Sequence, residues 1–184
     1  MRDSEFVELC RSGDARKVEE AITGGANVNS RDNTGTTALM SAAWNGQTAV
    51  VELLLSNGAD SNMKSNLGYT ALMMASSGGY TDIAELLLRH GADINARELR
   101  GLTALMLASW KSHTETAELL LKHGADLNAE EHKGRTALYW AESHGNDDTA
   151  RLLRSYGAIQ HREVMMIDRH IRTDDQDSTV LSVQ

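Results

Sequence analysis

The chain has no proline and only one cysteine, Cys10, in 184 residues. A single cysteine rules out any intramolecular disulfide, and the cysteine count gives no sign of secretion. Basic residues are outnumbered: 18 Lys and Arg stand against 26 Asp and Glu, for a net charge of -8. A duplex-binding protein needs many cationic phosphate contacts, so the balance argues against a nucleic-acid partner. No stretch approaches the roughly 18 apolar residues that a membrane-spanning helix needs. The opening residues "MRDSEFVELCRSGD" contain no apolar core of a secretory signal. The expectation is a soluble cytoplasmic protein, with no membrane partner.

What is present is repetition. "TALM" occurs at 37–40, 70–73 and 103–106, and "TALY" at 136–139, each 33 residues after the last. A second ruler runs in phase: "GAN" begins at Gly25, "GAD" at Gly58, Gly91 and Gly124, and "GAI" at Gly157. Five units follow, the first with "SEFV" from Ser4 in place of the tetrapeptide. Within one unit, Thr70 is placed to cap a helix reaching about Ser77. Gly79 can end it in the left-handed conformation. A second helix starts near Thr81, with Asp82 favourable in its first turn, carries Ile83, Ala84 and Leu86–Leu88, and stops at Gly91. Asn, Asp and Gly then supply a turn. One helix–turn–helix unit cannot bury its leucines alone, whereas stacked units can, so the chain is expected to be a solenoid.

On these residues the sequence resembles the ankyrin-repeat family, whose period is about 33. "GxTALMxA", "ELLLxxGADxN" and the returning glycines match the family pattern over about residues 2–161. The resemblance implies an all-α solenoid of paired antiparallel helices with β-hairpin-like turns along one edge. The expected units are 2–34 and 134–161 as caps, with 35–67, 68–100 and 101–133 between them. Polar Glu19 and Glu20 in the first unit, and Glu142, Arg151 and Arg154 in the fifth, fit capping roles, so the array is expected to be complete. Residues 162–184 leave the pattern. They are expected to form a short helix over "REVMMIDRHI" and then a disordered acidic tail.

The departures from the family are systematic. Alanine at 38, 71, 104 and 137 replaces the family's proline, and Met40, Met73, Met106 and Tyr139 replace its histidine. Both changes predict a softer solenoid. Ser112 stands where Gly13, Gly46, Gly79 and Gly145 stand, so a strained turn is expected there.

Catalytic chemistry needs convergent groups, and the sequence offers no phosphate loop, no His-x-x-x-His pair and no cysteine cluster. We expect no enzyme, no cofactor and no metal site. His90 and His123 read as surface residues at helix ends, Cys10 as a core residue, and Trp140 as core. Asn29, Asn62, Asn95 and Asn128, hydroxylation sites in some relatives of the family, are expected to bond turn backbone.

The resemblance implies a concave binding face built from turn tips and first helices. Mapped onto this chain, that face comprises Asn33 and Thr36, Leu67 and Tyr69, Leu99, Arg100 and Leu102, and Lys133 and Arg135. From the first helices it adds Trp44 with Asn45 and Trp110 with Lys111. Framework positions are monotonous whereas these vary from unit to unit, and large apolar residues in turns mark interfaces. The alternative for Trp44 and Trp110 is packing against neighbouring helices. Arg100, Lys111, Lys133 and Arg135 make the last units locally basic, with Glu98 and Glu131 read as partial balance. The expected partner of a monomeric adaptor or inhibitor is a protein with an apolar patch beside an acidic one. The alternative is a regulatory subunit controlling an enzyme.

Overall fold

The computed structural model describes residues 1–159, so both the tail helix and the tail disorder expected from the sequence lie outside the described residues. Those residues form ten helices: α1 (Asp3–Ser12), α2 (Ala15–Thr23), α3 (Ala38–Trp44), α4 (Thr48–Ser56), α5 (Ala71–Gly78), α6 (Thr81–Arg89), α7 (Ala104–Trp110), α8 (Thr114–Lys122), α9 (Ala137–Ser143) and α10 (Asp147–Ser155). Two layers result. The odd-numbered helices pack each on the next as an inner row, and the even-numbered helices form an outer row behind them. None of the helices is long and apolar enough to cross a membrane.

The repeated tetrapeptide explains the inner row. Thr37, Thr70, Thr103 and Thr136 each accept, through the side-chain oxygen, the backbone N–H three residues on, at 3.1–3.4 Å. Each threonine thus satisfies one of the orphan donors of a helix start. The following Leu39, Leu72, Leu105 and Leu138 are fully buried between layers, with Met40, Met73 and Met106. Each such side chain contributes about 1.5–3 kcal/mol of burial. Cys10 is fully buried in the first unit, as its spacing from Phe6 predicts.

Short turns reverse the chain between α3 and α4 and between α5 and α6 through Gly46 and Gly79, both left-handed. At the corresponding turn of the fourth unit Ser112 adopts φ 63, the only left-handed non-glycine among the described residues. The expected strain is therefore present.

Neighbouring units are also laced by polar bonds. The Asn29, Asn62 and Asn95 side chains accept the backbone N–H of Asp60, Asp93 and Asp126 in the next unit, at 2.9, 2.7 and 2.8 Å. Asn128 reaches Ile159 at 3.4 Å. On the opposite edge, Asn146 donates to the carbonyls of Ser109 and Trp110 at 2.8 and 2.9 Å. His90 and His123 lie exposed at the ends of α6 and α8, each with Nδ1 2.9 Å from the carbonyl four residues earlier.

Candidate binding groove

The turn tips are held from inside by a repeated polar device. Glu98 Oε1 accepts the N–H groups of Arg100 and Leu102 at 2.8 and 3.1 Å. Glu131 does the same for Lys133 and Arg135 at 3.0 and 3.3 Å. Asp32 Oδ1 accepts from Thr34 and Thr36 at 2.8 and 3.0 Å, and Ser65 Oγ from Tyr69 at 3.1 Å. Glu98 and Glu131 are each 5% exposed. They balance Arg100 and Arg135 as the sequence suggests, but from buried positions in which they also cap the turns. Arg135 bonds Glu131 at 2.8 Å and holds its carboxyl below the usual value, against burial. Burial pushes the Asp32 carboxyl up, but the bonds from Thr34 and Thr36 outweigh it and hold the group low.

Successive tips pair through their backbones. Asn66 N–H donates to Thr34, Leu99 to Leu67 and His132 to Arg100, at 2.9–3.1 Å. Such close approach needs glycine. A Cβ on Gly68, which has φ 84, would stand 3.0 Å from Glu98 Cα.

Between the tips and the inner helices runs a groove of about 590 Å³. Half-buried Met74 forms its apolar floor, with Met40, Met73 and Leu107 packed beneath as core. Trp44 and Trp110 flank it, with Tyr69, Thr36 and Asn45 beside them. Arg100 and Lys111 line one end; Glu8, Arg11 and Asp32 line the other. Arg100 donates to the Tyr69 hydroxyl at 3.0 Å and pairs with Glu98 at 3.4 Å, so its guanidinium is fixed over the groove. Lys111 sits 4.9 Å from the centre of the Trp110 ring and forms no ion pair among the described residues.

The two tryptophans behave differently. Trp44 is 52% exposed. Trp110 is half-buried, with its ring centre 5.2 Å from that of Trp140 and 5.6 Å from that of His144. Arg135 covers the Trp140 ring at 4.2 Å. So Trp110 follows the packing alternative in part and Trp44 does not. Trp140 stands half-buried at the edge of the core rather than inside it.

Of the remaining candidates, Leu67 and Leu99 are 61% and 63% exposed on paired tips, outside the groove. Asn33, Lys133 and Arg135 also lie outside its lining. Asn45 uses its amide to bond the Ser41 carbonyl at 2.8 Å. Leu102 is 2% exposed, which corrects its place on the face. It stands directly before the Thr103 cap and turns inward as core. Met40, Met73 and Leu107 pack as core, as their positions predict, whereas Met74, read as core, stays half-buried on the groove.

A family model described as ankyrin repeats, in three copies, matches residues 6–98 and 94–163. No curated protein matches the chain.

Proposed function

Because the chain belongs to the ankyrin-repeat family, whose repeats generally mediate protein–protein interaction, we propose that it is a non-catalytic binding module. It acts as an adaptor or inhibitor that captures a protein partner on its concave face. The five units at 2–34, 35–67, 68–100, 101–133 and 134–161 form the scaffold. The working residues are Trp44, Tyr69, Arg100, Trp110 and Lys111, with Leu67 and Leu99 on the adjoining tips. One observation supports this most directly. The groove sets an apolar floor and two tryptophans beside two cations. Aromatic residues and arginine are the side chains that most often anchor interfaces. The partner is a protein with an apolar patch next to an acidic one, and the module works as a monomer.

Affinity capture from the source cell tests the reading. Wild-type chain is compared with Trp44→Ala combined with Lys111→Glu, two exposed changes that leave the core intact. The expected result is loss of specifically captured proteins with unchanged helical circular dichroism. An unchanged captured set would overturn the assignment of the face.

A further inference from the structure

Resting on the concave-face reading, we propose that the groove takes a charge-polarised partner segment. The segment carries a cationic end, a large apolar side chain in the middle and an anionic end. The apolar side chain sits on half-buried Met74 between the tryptophans. The anionic end lies over Arg100 and Lys111, and the cationic end over Glu8 and Asp32.

The argument is electrostatic. All these residues line one continuous groove. At its first end Arg11 pairs with Glu8 at 3.3 Å, so the Asp32 carboxylate leaves that end net negative. At its other end the Arg100 charge is matched by buried Glu98, and Lys111 leaves that end net positive. From α1 to α7 the groove crosses three helix-to-helix steps of about 8–10 Å each, a span of roughly 24–30 Å. Charges that far apart, beyond the Debye length of about 8 Å at physiological salt, do not cancel. An extended segment of about eight residues covers the span. A segment acidic at both ends gains at Lys111 and is repelled at Asp32, so the groove discriminates by charge order as well as by apolar content.

The test uses the full chain and two fluorescein-labelled ten-residue synthetic peptides, read by anisotropy at physiological salt of about 0.15 M. Both peptides have a central Leu-Leu. One carries two lysines at one end and two glutamates at the other; the second carries two glutamates at each end. The polarised peptide should bind wild type at least about fivefold more tightly, as one favourable and one avoided charge contact imply. Glu8→Lys should reverse the preference, and Lys111→Glu should weaken both peptides. Equal binding of the two peptides to wild type and to Glu8→Lys overturns the polarity and leaves the face reading standing. Binding that survives Trp44→Ala unchanged, or no binding of either peptide, overturns both.

Discussion

The Trp110 and Trp140 rings meet across two units with centres 5.2 Å apart and planes inclined by 32°. Their faces are taken up by one another, by His144 and by Arg135. Trp110 therefore supports the solenoid as well as flanking the groove. Single Trp110→Ala and Trp140→Ala variants and the double variant should show a coupling of about 0.5–1.5 kcal/mol in urea unfolding. Trp44→Ala, which removes an exposed ring, should change stability by no more than about 0.5 kcal/mol.

Restoring the family's proline should stiffen the chain, but not equally at every site. Thr70 and Thr103 are extended, with ψ 167 and 169, as a residue before proline must be. Ala71→Pro and Ala104→Pro should each stabilise by about 0.4–1 kcal/mol through a less free unfolded chain. Ala38 donates its N–H to the Ser30 carbonyl at 3.1 Å, so Ala38→Pro should gain less or lose stability. Chemical denaturation midpoints of the three variants order them directly.

Ser112 is the strained turn. Its φ of 63 costs a non-glycine residue about 1–2 kcal/mol, part of which glycine returns in unfolded-state entropy. Ser112→Gly should therefore raise stability by about 1 kcal/mol, visible as a higher melting temperature. A lower melting temperature would contradict the strain assigned to this turn.

Two groups set opposite pH limits. Glu131, held low by Arg135, contributes stability that is present above its ordinary value of 4.5 and is lost as pH falls through its folded value. Glu131→Ala should remove that acid sensitivity and cost about 2–4 kcal/mol at neutral pH, because two N–H groups and a guanidinium lose their acceptor. Burial pushes the Cys10 thiol up from 9.0 to about 12. Its contribution is complete below 9.0 and declines as pH rises toward about 12. At about pH 8 a thiol reagent should label Cys10 only after unfolding, because the thiolate is the reactive form.

The sequence by itself determined the period, the threonine caps, the buried leucines and the strained Ser112, because each is a local rule applied once per unit. Of the thirteen candidate face residues it named, seven line the groove: Thr36, Trp44, Asn45, Tyr69, Arg100, Trp110 and Lys111. Tertiary structure decided which of those side chains face outward. Leu99 and Leu102 flank the same glycine, yet one is exposed and the other is core, because pairing of successive tips fixes the direction of each side chain. Trp44 and Trp110 occupy the same place in their units. Trp110 gains a ring partner in Trp140, while Met74 stands at the matching place beside Trp44. A single-unit pattern cannot distinguish the two, since the difference lies in the neighbour that each unit stacks against.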